Sequence, residues 1–239
     1  MMEKLGISLL FAIAMSLTAC GGGGSSTPVV TSPAATDPDP VVTVDADGNT
    51  SFDSTTLAAQ LDAMALGELN QEETDGLLLM REEEKLARDV YLALYDIHGL
   101  NIFNNISSSE QTHTDAVLAL LQRYSLTDPV VENATGVFAN VDLQQLHDAL
   151  VAQGTNSLLD ALYVGAEIEE LDIADIENLK LQLVDNDDIA LVYDNLLKGS
   201  RNHLRSFYRQ IESNGGTYAP THITQAQFDE IVNSDMERG

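Results

Sequence analysis

The chain has 239 residues, 44% of them hydrophobic, which is enough for one substantial core and sets one folded domain as the expectation. Its 38 acidic against 11 basic residues give a formal charge of −27, which argues against nucleic acid and against passive adsorption to anionic lipid surfaces. Solubility, attraction of cations or a salty habitat each account for such a surface, and charge does not choose among them.

At the N-terminus, Lys4 precedes an uncharged stretch from Leu5 to Ala19. It is short for a bilayer span but has the length of a signal-peptide hydrophobic region. The stretch ends in Leu17-Thr18-Ala19-Cys20, which resembles the bacterial lipobox, whose cysteine becomes the first mature residue and carries diacylglycerol. Cys20 is the single cysteine, so no intrachain disulfide forms and a lipid role would account for all cysteine usage. Gly21 stands where lipoproteins retained in the inner membrane often carry Asp. The resemblance implies an exported chain anchored through Cys20 in the outer membrane, facing the periplasm.

Residues 20–53, with Gly21 to Gly24 and four of the six prolines, read as a flexible linker in which Asp45 to Asn49 makes a turn. A short helical lead-in is expected over 54–73. The rest is helical by period with no convincing strand run. Helix one is expected from about Asp75 to Ile97, stopped by His98-Gly99, and helix two from about Leu100 to Tyr124. A long connection follows, with a short helix from about Asp142 to Ala152. Helix three is expected from about Asn156 to Val184, helix four from Asn186 to Ser213, and a last short helix near Gln225 to Met236. The pattern predicts an all-α fold: a four-helix bundle over 74–214 with one long crossover, then an extension over 215–239, with a three-helix or irregular α-fold as the alternative.

Helix two carries the chemistry. Phe103, Ile106, Glu110, His113, Val117, Leu120 and Tyr124 recur at steps of three and four, a core-facing stripe with a carboxylate and an imidazole at its centre. Burying them unpaired costs several kcal/mol, and a metal ion is the natural counterion. Helix four repeats the pattern with Ile189, Val192, Leu196, Ser200, His203 and Phe207. If the hairpins fold at His98-Gly99 and near Asp185-Asn186, then Glu84, Glu110 and His113 stand level, at about 1.5 Å per residue. So do Glu167, Glu170 and His203 in the second hairpin. On helix one either Glu83 or Glu84 can face inward, and the pattern leaves that choice open.

Glu84-Lys-Leu-Ala87-Arg88-Asp-Val-Tyr91 resembles the E-x-x-A-R-x-x-Y signature of rubrerythrins, and Glu110-Gln-Thr-His113 the E-x-x-H of ferritin-like di-iron proteins. Glu167-Ile-Glu-Glu170 is similar to the E-x-x-E of the third helix in rubrerythrin-type members. The stretch from about Leu77 to Ile211 also resembles a bacterial ferritin-like family of unknown function, with Gly199-Ser200-Arg201-Asn202-His203-Leu204 on the last helix. The resemblance implies a ferritin-like bundle with metal ligands Glu84, Glu110, His113, Glu167, Glu170 and His203, holding two iron ions, with manganese or zinc as alternatives. It departs at Ser200, where such proteins usually carry glutamate.

The expected function is therefore a lipid-anchored metalloprotein, an oxidoreductase acting on oxygen, peroxide or ferrous iron. With no C-x-x-C pairs for a rubredoxin domain, its electrons would come from a separate donor or partner protein. The alternative is a non-enzymatic helical-bundle lipoprotein that binds metal or a partner protein. Tyr91, Tyr95 and Tyr124 are expected to pack in the core, Arg88 to pair with a carboxylate, and His98, His147 and His222 to lie outside the site.

Overall fold

The computed structural model describes residues 39–131, 134–183 and 186–238. The stretch expected to be a signal peptide and Cys20 lie outside them. Within them the chain is mostly helical, and four long helices dominate: α2 (Gln71–His98), α3 (Asn101–Arg123), α5 (Leu158–Lys180) and α6 (Asp187–Ser213). Helix α2 pairs with α3 and α5 with α6, while α2 against α5 and α3 against α6 close the square.

Local chemistry sets the helix ends. Asn70 and Glu73 form a reciprocal capping box at the start of α2, and Gly99, at φ +66°, gives the left-handed residue that ends it. Ser157 caps α5 by accepting from the Asp160 amide. The crossover carries α4 (Val141–Gly154), and buried charges of α2 hold it. Glu82 accepts from the Ala139 and Asn140 amides, while Lys85 donates to the Ala134 and Val137 carbonyls and to Asp89. Arg88 meets the Asp89 carboxylate at 2.7 Å. After α6 the chain folds back, and α7 (Gln225–Val232) seals the bundle with Phe228 and Ile231. No helix among the described residues is long and apolar enough to cross a membrane.

Two expectations need correction before α2. The linker to residue 53 ends early, because Val42–Val44 (β1) and Thr50–Phe52 (β2) pair antiparallel. The Asp45 to Asn49 turn between them is tied by Asp45, which accepts from the Asp47 and Asn49 amides. The hairpin is held by docking as well as pairing: the Thr50 amide donates to Ser109 Oγ and the Phe52 amide to Thr112 Oγ1, both on α3. The lead-in of 54–73 is likewise two things, a helix α1 (Ser54–Ala63) capped by Asp53 and, from Gln71, the first turn of α2.

Candidate metal centre

The four long helices turn polar groups into otherwise apolar stripes, two from α3 and one from each of the others. On α2, Leu77, Met80, Glu84, Ala87 and Tyr91 are all at most 1% exposed, which makes Glu84 the inward glutamate. On α3 the expected stripe is buried through Glu110 and His113, and on α6 through His203. On α5 the stripe is Leu162, Ala166, Glu169, Ile173 and Ile176.

The five groups meet in the centre. Glu110 Oε2 lies 2.7 Å from His113 Nδ1, and Glu110 Oε1 lies 2.8 Å from His203 Nδ1. Glu84 is 3.3 Å from His113 Nδ1 and Glu169 is 3.4 Å from His203 Nδ1. Glu84, Glu110 and His113 thus form one group with ligand atoms within 4.8 Å of one another, and Glu110, Glu169 and His203 a second. Glu110 belongs to both. The imidazoles stack with centroids 5.4 Å apart.

The far edges of both rings converge on one hydroxyl: Thr50 Oγ1 is 2.8 Å from His113 Nε2 and 3.1 Å from His203 Nε2. Its two lone pairs can accept from both Nε2–H groups. That tautomer points both Nδ1 lone pairs at carboxylate oxygens, an arrangement that needs a proton or a cation between them. The contact between His203 Nδ1 and Glu110 Oε1 is short, yet neither atom has a hydrogen-bonding partner, and Glu84 Oε1 and Glu169 Oε2 also lack one. Atoms that converge without sharing hydrogens are placed as ligands are. Tyr91 donates to the other Glu169 oxygen at 2.6 Å and fixes that carboxylate.

The electrostatics follow from burial and proximity. Burial disfavours the Glu110 carboxylate, but His113 and His203 outweigh it and hold the carboxyl well below its usual range. Burial also disfavours the imidazolium forms, and Glu110 overcomes this, raising His113 to about 10 and His203 to about 9. At Glu84 burial prevails over His113 and pushes the carboxyl up to about 7. Burial raises Glu169 and, further, Asp172, one turn along α5.

The structure thus brings together Glu84, Glu110, His113 and His203, and leaves out the two α5 glutamates expected beside them. Glu167 is one-third exposed and faces His222 at 3.5 Å. Glu170 is buried, but its Oε2 accepts from the Thr221 and His222 amides at 2.8 Å each and pins the segment after α6. Helical height placed them level with the site, but the 100° turn per residue gives the inward position to Glu169. The α5 stripe carried that signal. Nothing in the period of so short a strand marked Thr50. Ser200 is buried and donates to the Leu196 carbonyl of its own helix. Tyr124 lies off the site, donating to Asp188, and His98 faces the Gly154 carbonyl at 2.7 Å.

The donors are carboxylate oxygen and imidazole nitrogen without thiolate, a set suited to iron, manganese or zinc. The chain is 52% identical over 171 residues to the uncharacterized protein MJ0754 of Methanocaldococcus jannaschii, covering 72% of this chain and 92% of that protein. The crystal structure of hypothetical protein MJ0754 from Methanococcus jannaschii superposes with a TM-score of 0.71 at 49% identity, over 73% of this chain and 99% of that one. A family profile matches residues 73–235, the stretch that supplies every carboxylate and imidazole of the centre, and the chain belongs to that family, the uncharacterized protein domain DUF2202.

Proposed function

We propose that this protein is an envelope lipoprotein, anchored through Cys20, whose helices hold two divalent iron ions in a ferritin-like carboxylate and imidazole centre, and that it acts as an oxidoreductase on oxygen, peroxide or ferrous iron. The observation that carries the metal reading is Glu110, whose two oxygens each face a different imidazole Nδ1 while both Nε2 edges are taken up by Thr50. Once binding displaces their protons, Glu84, Glu110 and Glu169 would set three negative charges against the four positive charges of two divalent ions.

Glu84 and His113 would hold one ion, Glu169 and His203 the other, with Glu110 shared between them. Iron in such a ligand set supplies redox chemistry toward oxygen or peroxide. The chain's own residues do the rest. Thr50 fixes the ring tautomers, Tyr91 orients Glu169, and the packed rings of Tyr91, Phe103 and Phe207 close the interior to bulk water. Manganese or zinc would use the same donors.

The test is metal analysis of the full chain extracted in detergent, beside Glu110→Ala and His113→Ala. The expected result is two iron ions per chain, lost in both variants, and metal-dependent consumption of peroxide. A wild-type chain that stays metal-free after anaerobic loading with Fe²⁺ would overturn the reading.

A further inference from the structure

The ligand groups are at most 1% exposed, so a cation needs a passage to them. Two depressions approach the centre from opposite chemical sides. One is lined by Thr43, Asp45, Asn49, Thr50 and Asn105. Beyond Thr50 on that side stand the Nε2 edges of His113 and His203, and the Asp45 carboxylate is already engaged by the Asn49 side chain and by backbone amides.

The other is a small crevice of about 50 Å³ between α2, α4 and α5, lined by Glu83, Asp172 and Asp175 among apolar residues that include Leu143 and Leu146. Asp172 is 5% exposed, one turn from Glu169, and its Oδ2 has no hydrogen-bond partner. Glu83, beside Glu84, has an unpartnered Oε2. Asp175 is partly exposed one turn beyond Asp172. Among the described residues no Lys or Arg lines the crevice. Carboxylates held between apolar walls are costly unless they serve a cation, and such walls focus their field.

Resting on the metal-centre reading, we propose that divalent cations reach the centre through this crevice, passing from Asp175 and Glu83 to Asp172 and then to Glu84 and Glu169. Asp172, Asp175 and Glu83 act in delivery, while Glu84 and Glu169 retain the ion.

The test is stopped-flow uptake of Co²⁺ by the metal-stripped full chain, read from the absorption of the bound ion. An Asp172→Asn/Asp175→Asn double variant should fill to the wild-type endpoint about tenfold more slowly, the scale of local field focusing. Asp175→Asn alone should be slowed with unchanged affinity. Added salt should slow the wild type more than the double variant. Asp45→Asn should fill at the wild-type rate. Because Asp172 is a buried carboxylate whose Oδ2 has no partner and Asp175 is partly exposed, the thermal midpoint should hold or rise, which separates slow filling from misfolding. A double variant that fills as fast as wild type, or one with a lowered endpoint, overturns the passage, as does slowing confined to Asp45→Asn. A wild-type chain that takes up no Co²⁺ overturns the centre and the passage together.

Discussion

Glu169 and Glu170 are neighbours in the chain, both fully buried, and they serve different faces of α5: Glu169 meets His203 and Tyr91 inside the helices, while Glu170 accepts amide hydrogens from the segment after α6. Isosteric changes should separate them. Glu169→Gln is expected to weaken metal binding by about 10-fold or more, on the scale reported for altered metal sites, with the fold intact by circular dichroism. Glu170→Gln is expected to keep full metal content and lose about 1.5–3 kcal/mol of stability in denaturant unfolding, the usual worth of hydrogen bonds to a charged group.

Thr50 is shared by both imidazoles, so Thr50→Val should affect two ligands at once. The shape is kept, but two Nε2–H groups lose their acceptor. Metal affinity measured against a competing chelator should fall about 10- to 100-fold, the range for groups that orient metal-binding histidines. An unchanged affinity would mean that the hydroxyl does not set the tautomers.

Gly199 leaves room for the His113 ring: a Cβ there would lie 2.5 Å from His113 Cε1 and 3.2 Å from Thr50 Oγ1. Gly199→Ala should therefore displace the imidazole, costing about 1–3 kcal/mol as overpacking does. Co²⁺ titration should show weakened binding of the ion held by Glu84 and His113. Retained affinity at both positions would rule this crowding out.

Glu167 and His222 provide a pH test away from the centre. The Glu167 hydrogen bond raises the His222 pKa above its ordinary 6.5. A folded value above the unfolded one means that the stabilisation is complete below pH 6.5 and lost as pH rises through the folded pKa. Titration of the His222 ring by NMR should show the raised value, and Glu167→Gln should lower it towards 6.5 with metal content unchanged. Loss of metal in that variant would restore Glu167 as a ligand.

Proton release tests the occupancy of Nδ1. In the metal-free chain Glu110 raises His113 to about 10 and His203 to about 9, which favours charged rings at pH 7, and burial raises Glu84 to about 7, which favours a proton on it as well. Ligands must lose these protons, so binding in weak buffer should acidify the solution, and affinity should rise from pH 6 to pH 8. A pH-independent affinity would show that these nitrogens are not ligands.

How much could be read in advance depended on the kind of signal. The stripes of α3 and α6 put Glu110, His113 and His203 inward because long amphipathic helices repeat their period many times. On α5 the axial estimate was sound but said nothing about rotation, and the run Glu167 to Glu170 offered three glutamates. Only the spacing Leu162, Ala166, Glu169, Ile173 and Ile176 picks out one of them. Thr50 was out of reach for another reason. Its strand has three residues, and its contacts with His113 and His203 span 63 and 153 positions of sequence, so nothing local encodes them.

The hairpin carrying Thr50 precedes residues 73–235, the part the family shares. A fragment trimmed to that shared part would keep every donor atom yet lose the stopper over both ring edges. Water would then reach nitrogens that the whole chain keeps dry, so assays on the fragment would describe a leakier vessel with weaker grip.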